Sequence, residues 1–247
     1  MFALRLLSCL MLCLLTVACA KTVVPSPKSA ATYFKEGETY FDKGLYEDAV
    51  TAWGKVRDSY YSPELNVLAE MKIAEAYYLD EKYIEAATAY EDFLKQHPDD
   101  PRSEEALYRL GMSYYNQILS IDCDQTATRN ALVTFQTYLK RFPKSPHAEE
   151  VKVFVSRCED TLAGHELYVG RFYLQSHHPA AAVERLQGIF KLYPNFLGRD
   201  AAWFYLGQAY LRTGQRQAAI EAFNTLYRDF PRSEYILQAQ KYLEKKF

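Results

Sequence analysis

The stretch from Trp203 to Pro231, WFYLGQAYLRTGQRQAAIEAFNTLYRDFP, decides the fold of this chain. The small residues Gly207 and Ala219 let two antiparallel helices approach closely, and large side chains such as Phe223 fill the remaining space. Pro231 then stops the second helix and begins a turn. The stretch therefore predicts one closely packed pair of antiparallel helices.

The same frame recurs along most of the chain with a period of 37 residues. The small residue of the first helix recurs at that interval, except between the third and fourth copies, in the series Gly37, Ala74, Gly111, Gly170 and Gly207. The small residue of the second helix follows in the series Ala49, Ala86, Ala131, Ala182 and Ala219. These residue types and spacings match the tetratricopeptide pattern. One helix pair cannot bury its apolar face alone, whereas a stack can. We therefore expect an all-α tetratricopeptide-repeat superhelix of about five helix pairs.

Two segments break the period and predict additions to this array. Residues Gln117–Arg129 form an insertion inside the third pair. In Ala148–Ala163 the apolar residues recur at helical spacing, which predicts an extra central helix. Whether that helix continues into the first helix of the fourth pair stays open. The stretch Glu234–Phe247, rich in Lys, Glu and Gln, predicts a C-terminal capping helix.

The N-terminus resembles a bacterial lipoprotein signal. Met1–Arg5 supplies a short basic segment, and the 12 apolar residues Leu6–Val17 are too few to span a bilayer. Ala18 is the small residue expected before a cysteine that receives lipid, so the resemblance implies cleavage before Cys19 and lipidation of Cys19. Thr16 departs from the pattern, because a leucine is usual three places before that cysteine. Ordinary secretion and an uncleaved anchor are the alternatives.

The chain is therefore expected to divide into three parts. The segment after Cys19 carries two prolines, which disfavour helix and suit a short tether. The expected boundaries are residues 1–18 for the signal peptide, 19–30 for the lipidated tether and 31–247 for the repeat domain, whose N-terminal half covers about 31–145 and whose C-terminal half covers about 146–247.

Composition and local motifs argue against an enzyme and against a nucleic-acid-binding protein. With 29 basic and 31 acidic residues the formal charge is −2, which implies no basic face for nucleic acid. The sequence has no glycine-rich phosphate loop and no nucleophile elbow. The pair His177-His178 lacks further ligands at metal-site spacing and is expected in a turn. We expect no enzymatic activity, no cofactor and no metal. Whether Cys123 and Cys158 form a disulfide stays open.

The first helices of such an array line its concave face, which predicts a peptide-binding trough. The residues near the small position of each first helix are aromatic, methionine or acidic. Flat apolar faces bind with little sequence preference and methionine repacks easily, so the trough suits an extended, aromatic-rich peptide. The alternative is that some of these side chains only pack between repeats. The predicted trough residues are Phe34, Glu38, Phe41, Met71, Glu75, Tyr78, Tyr108, Met112 and Tyr115.

Four segments around the interruptions resemble the BamD family of outer-membrane lipoproteins. They are Tyr114–Gln117 (YYNQ), Asp122–Thr126 (DCDQT), Arg141–Ser145 (RFPKS) and Leu162–Leu174 (LAGHELYVGRFYL). The lipoprotein signal and the five repeats agree with this resemblance, which covers nearly the whole mature chain.

The resemblance implies a scaffold of the β-barrel assembly machinery at the outer membrane, facing the periplasm. Ala20 agrees with that location, since it is not the Asp that often retains lipoproteins at the inner membrane. In the family, the C-terminal half docks on the periplasmic domains of the barrel-forming BamA protein, and the N-terminal half receives unfolded outer-membrane proteins. An arginine on the second helix of the fourth pair contributes to the BamA interface, and Arg185 matches that position. A solvated surface charge is the alternative for Arg185. Other lipoproteins of the same complex are further expected partners.

Two other classes of function compete with this interpretation. A different periplasmic tetratricopeptide adaptor, for example one that coordinates envelope constriction, would often carry an N-terminal coiled coil, and no heptad run precedes Thr32. An enzyme with a helical-repeat regulatory part would need a catalytic segment, which the sequence lacks.

Overall fold

The protein is all-helical in a computed structural model that describes residues 28–57 and 62–244. Alpha-helix is the only regular secondary structure in those ranges, so the all-α prediction is confirmed. The helices are α1 (Ala30–Phe41), α2 (Tyr46–Arg57), α3 (Pro63–Leu79), α4 (Tyr83–Gln96), α5 (Ser103–Tyr115), α6 (Thr126–Arg141), α7 (Ala148–Gln175), α8 (Pro179–Leu192), α9 (Arg199–Arg212), α10 (Arg216–Asp229) and α11 (Ile236–Glu244).

The helices pack as a continuous stack of antiparallel pairs. Each helix contacts the next one along the chain, from α1 through to α11. Further contacts join α1 to α3, α3 to α5 and α7 to α9, whereas the second helices of the described pairs make no such contacts with one another. The first helices therefore lie on the inner side of a curved stack, and α11 covers its end against α9 and α10. The tetratricopeptide superhelix is confirmed.

In four pairs a large side chain of the second helix lies directly on a glycine of the first. A Cβ atom built at Gly207 would come within 2.6 Å of the Phe223 ring, a distance that real Cβ contacts essentially never show. Any side chain at this position would separate the helices, because the interior is already close-packed. The four contacts are Gly37 with Trp53, Gly111 with Phe135, Gly170 with Leu186 and Gly207 with Phe223.

Four of the pairs share one turn geometry between their helices. A residue with positive φ follows the first helix, and the backbone N–H of the next residue donates to a carbonyl oxygen in that helix. The carbonyl belongs in each case to a tyrosine in the last turn of the first helix. Gly214 supplies the positive φ (76°) after Tyr210, where glycine fits without strain. His177 takes the same conformation (φ 61°), so the His177-His178 pair lies in a turn as predicted. The four N–H to carbonyl bonds join Leu45 to Tyr40, Lys82 to Tyr77, His178 to Tyr173 and Gln215 to Tyr210.

The extra central helix and the first helix of the fourth pair form one continuous helix. This is α7, which runs for 28 residues without interruption. The insertion packs on its middle: the backbone carbonyl of Ile121 lies 2.7 Å from His165 Nδ1. A Cβ atom at Gly164 would be 3.3 Å from Ile121 Cγ2, so Gly164 makes room for this contact. The question left open by the sequence is therefore settled in favour of a single helix.

The two cysteines of the described repeat domain are free thiols. Cys123 is half-buried in the insertion, and Cys158 is fully buried on α7. Burial raises the pKa of the Cys158 thiol to about 12, so it stays neutral and unreactive at physiological pH.

The glycine contacts can be tested by adding a single methyl group. Gly207→Ala should lower the free energy of unfolding by about 1–3 kcal/mol, because the Phe223 ring must move. Gly188→Ala is the matched control, since nothing lies within 4 Å of an added Cβ there. Alanine's better helix propensity should make that variant about 0.5–1 kcal/mol more stable. Urea denaturation followed by circular dichroism measures both, and a stabilised Gly207→Ala variant would contradict the packing account.

Candidate protein-binding site

The inner face of α1, α3 and α5 carries the predicted trough residues. Glu38 is exposed, and all the others except Tyr108 are half-buried. Phe34 and Phe41 are half-buried because both pack against Trp53 of α2, with ring centroids 6.3 and 5.5 Å away. These side chains thus pack between helices and also keep part of their surface accessible to solvent.

A lysine connects the first two pairs across the trough. Lys72 Nζ lies 2.8 Å from Glu75 Oε2 and 5.1 Å from the centroid of the Phe41 ring. The ammonium group is therefore attracted both to a carboxylate and to the face of an aromatic ring. Glu75 is therefore paired inside the trough and does not present an isolated negative charge there.

The next part of the trough is built around Tyr78 and Tyr115. The Tyr78 ring makes an edge contact with Tyr83 at 5.6 Å, and the guanidinium carbon of Arg109 lies 5.1 Å above it. Tyr115 packs against Phe154 on α7, with centroids 4.8 Å apart. These contacts fix the orientation of half-exposed rings, which lowers the conformational entropy they would lose on binding a ligand.

Tyr108 is a correction to the predicted trough. Its side chain is buried, with 8% relative exposure. The ring stacks on His147 with centroids 4.4 Å apart, and its hydroxyl donates to Glu150 at 3.1 Å. The turn and first residues of α7 therefore cover it, and burial raises the pKa of the Tyr108 hydroxyl to about 12.

Two charged residues of this face were not singled out from the sequence. Lys72 and Arg109 both contact aromatic rings of the trough. Each also pairs with an acid one helical turn away, Lys72 with Glu75 and Arg109 with Glu105. That i,i+3 or i,i+4 spacing is visible in the sequence and could have indicated an ordered cation.

Arg185 lies on the exposed surface of α8 and is already paired. Its Nη1 is 3.2 Å from Glu166 Oε2 on α7, and the two side chains keep 47% and 24% of their exposure. Glu166 belongs to the LAGHELYVGRFYL segment of α7. The structure thus places both ends of this ion pair on one face of the fourth helix pair, where an incoming group could reach the guanidinium.

The same long helix exposes two aromatic rings. Tyr168 and Phe172 are 43% and 54% exposed, and their four-residue spacing puts them on one side of α7. Sequence reasoning assigned them no role, although both lie in the segment that resembles the BamD family. They add an apolar element to the surface of the C-terminal half.

Other predicted features concern membranes and metals. Cys19 lies outside the described residues. Within residues 28–57 and 62–244, no helix has the length and apolar character required for a membrane span. Over the same ranges, no group of three or more His, Cys, Asp or Glu side chains is arranged so that it could hold a metal ion. In the insertion, Asp124 Oδ1 accepts from the N–H of Thr126, the first residue of α6, at 2.8 Å, and the N-cap of that helix is Gln125.

The stacked helix pairs define an all-helical protein of the tetratricopeptide-repeat class. The family described as outer membrane lipoprotein, YfiO, matches residues 26–222. Because this match covers most of the chain, the protein belongs to that family.

Relatives named outer membrane protein assembly factor BamD agree with this assignment. The Caulobacter vibrioides protein is 25% identical over 90% of this chain and 73% of its own length. The Rickettsia prowazekii protein is 28% identical over 85% and 84%, and the Neisseria meningitidis serogroup A protein is 27% identical over 85% and 83%. The resemblance to the BamD family is therefore confirmed.

Solved structures add a distant similarity. The TPR2AB-domain:pHSP90 complex of yeast Sti1 overlaps this chain with a TM-score of 0.42 at 14% identity, covering 87% of this chain and 84% of that one. An overlap this low supports no functional comparison.

Proposed function

We propose that this chain is an outer-membrane protein assembly factor that works as a binding scaffold and not as an enzyme. Its family and the names of its relatives support this function. The observation that carries the mechanism is the accessible inner face of α1, α3 and α5, where half-buried aromatic rings are held in fixed orientations. Such a face can hold a polypeptide segment without acting chemically on it.

The scaffold is held at the outer membrane through Cys19, facing the periplasm. Bacterial lipoproteins usually carry three acyl chains, and each buried methylene contributes roughly 0.8 kcal/mol, so attachment would be effectively permanent. The stretch from Cys19 to the start of α1 at Ala30 is then a short tether. It keeps the first helix pair close to the membrane surface.

The C-terminal half docks on the periplasmic domains of a BamA-like β-barrel protein, with Arg185 at the interface. An exposed ion pair such as Arg185–Glu166 contributes at most about 1 kcal/mol. Arg185 can therefore exchange Glu166 for a carboxylate or carbonyl of the partner at little cost. Other lipoproteins of the complex bind elsewhere on the same array.

The N-terminal half receives segments of unfolded outer-membrane proteins in the trough. Transmembrane β-strands alternate apolar and polar residues and carry aromatic girdles at both membrane interfaces. The half-exposed rings of Phe41, Tyr78 and Tyr115 offer flat apolar contacts to such segments. The paired Lys72 and Glu75 provide polar contacts between the rings.

The anchor is tested by Cys19→Ser. Without lipid, and once residues 1–18 are removed, this variant should appear in the soluble periplasmic fraction, because no helix of the described residues could hold it in a bilayer. Cell fractionation followed by immunoblotting measures the distribution, with Cys123→Ser as the control that should stay with the membrane. Tight membrane association of the Cys19→Ser protein would refute lipid anchoring.

The docking face is tested by Arg185→Glu. Partner recovery on pull-down of the detergent-extracted protein should fall about tenfold, since a favourable charge contact becomes a repulsive one. The melting temperature should change little, because only an exposed ion pair is lost. Arg157→Glu, at another exposed position, is the control. A large fall in melting temperature with unchanged partner recovery would make Arg185 structural.

The trough is tested by Tyr78→Ala. Affinity for aromatic-rich peptides taken from the strands of outer-membrane β-barrels should fall by about 1 kcal/mol, the usual contribution of an aromatic contact. Val133→Ala, which removes an exposed apolar side chain from α6, should leave affinity unchanged. Fluorescence anisotropy with labelled peptides measures both. Equal affinities for the two variants would place peptide binding outside the trough.

A further inference from the structure

An open groove lies on the opposite side of the N-terminal half from the trough. It is formed by α2, α3 and α4 and encloses about 950 Å³, a volume typical of sites that bind ligands. Among the described residues the backbones of the second helices α2 and α4 do not approach each other, and the space between them is this groove. An ion pair between Glu47 of α2 and Lys82, the residue before α4, bridges one end of that space. Ile73 and Tyr77 of α3 form its floor. We call it the convex groove.

The convex groove follows the helix axes. Val50, Gly54 and Arg57 line it from α2 at spacings of four and three residues, which form one helical stripe. On α4 the lining runs from Ile84 to Gln96. At 1.5 Å per residue this edge is roughly 18 Å long, or about three helical turns. A guest helix of two to three turns could therefore lie parallel to α2 and α4.

Gly54 packs against no other part of the chain that the structure describes. It stands inside α2, where glycine costs about 1 kcal/mol relative to alanine. An added Cβ would meet nothing within 4 Å, in contrast to Gly37, Gly111 and Gly207, which lie against rings. Because Gly54 has no side chain, the α2 side of the convex groove is shallow at this position, and another backbone can approach closely.

The rim that α4 gives the convex groove is acidic and partly apolar, whereas α2 contributes the guanidinium of Arg57. Glu85 and Asp92 of α4 are exposed and lie seven residues apart, so both face the same way about 10 Å apart. Ile84 stands beside them with 69% exposure. The carboxylate of Glu70, deeper in the groove, is already bonded to His97 at 2.7 Å. Glu85 and Asp92 are thus the acids best placed to attract a partner.

We propose that the convex groove binds an amphipathic helix of a partner protein that carries basic residues seven positions apart. The apolar stripe of that helix would pack on Ile73, Tyr77 and Ile84, and its basic side chains would reach Glu85 and Asp92. Gly54 would lie beneath the backbone of the guest helix. Because the convex groove and the trough are on opposite faces, both can be occupied at once.

The proposal is tested with synthetic helical peptides and the purified Cys19→Ser protein. The probe is a peptide of about 18 residues with a leucine stripe at i, i+3, i+4 and i+7, flanked by lysines seven residues apart. Two comparison peptides carry glutamate in place of lysine, or the same composition in an order with no apolar stripe. Fluorescence anisotropy should show saturable binding of the lysine peptide and at least about tenfold weaker binding of the other two.

Variants of the groove separate it from non-specific attraction. Gly54→Leu should weaken binding about tenfold by filling the groove, whereas Gly188→Leu, also placed in open space on a second helix, should not. Glu85→Lys with Asp92→Lys should reduce binding of the lysine peptide and restore binding of the glutamate peptide. Glu149→Lys with Glu184→Lys, at exposed sites elsewhere, is the charge-matched control. Circular dichroism confirms that each variant is folded.

Three results would overturn the proposal. One is equal binding of the striped and unstriped lysine peptides. Another is an equal loss of lysine-peptide binding in the Glu85→Lys/Asp92→Lys variant and in its Glu149→Lys/Glu184→Lys control. That result would mean that binding depends only on the net charge of the protein. The third is a groove occupied by this chain itself: binding that appears only after residues 20–27 are deleted, or a dimer in sedimentation that Gly54→Leu dissociates.

Discussion

The structure depends on the contact between a glycine of one helix and a large side chain of the next. Where Phe223 lies on Gly207, and Trp53 on Gly37, the ring of the second helix packs directly on the backbone of the first. This close packing leaves no room for a side chain at the glycine position. The remaining aromatic residues of the first helices then pack against the next pair or line the inner face. The same constraint thus produces the stack and the accessible rings of the trough.

The long helix α7 joins the two halves of the array. Its N-terminal half covers Tyr108 and packs on α6, while its C-terminal half pairs with α8 and carries Glu166, the partner of Arg185. Contacts from both sides hold its middle. Ile121 of the insertion reaches His165, and the backbone N–H of Leu197 donates to Asp160 at 3.1 Å. A helix fixed in this way sets the orientation of the N-terminal half relative to the C-terminal half.

Much of this architecture could be predicted from the sequence, because the repeat fixes both helix type and packing partners. The spacing of small residues identified the pairs, and the apolar stripe identified the added helix. Tyr108 was assigned wrongly because its cover, His147 and Glu150, follows an insertion whose path the period does not specify. The Arg185–Glu166 pair and the convex groove depend on the register between helices. The register between helices is set by how three neighbouring helices pack together. A local sequence pattern does not specify it.

The central claim is that α7 makes the two halves one rigid scaffold. It is tested most directly by double electron–electron resonance between nitroxide labels at the exposed positions Thr39 on α1 and Gln217 on α10. The labels are placed as cysteines in protein that lacks residues 1–18 and carries Cys19→Ser, Cys123→Ser and Cys158→Ala, so that no native cysteine remains. The account predicts one narrow distance distribution, which Glu159→Pro should broaden by breaking α7. A broad or two-peaked distribution in the protein with α7 intact would contradict it.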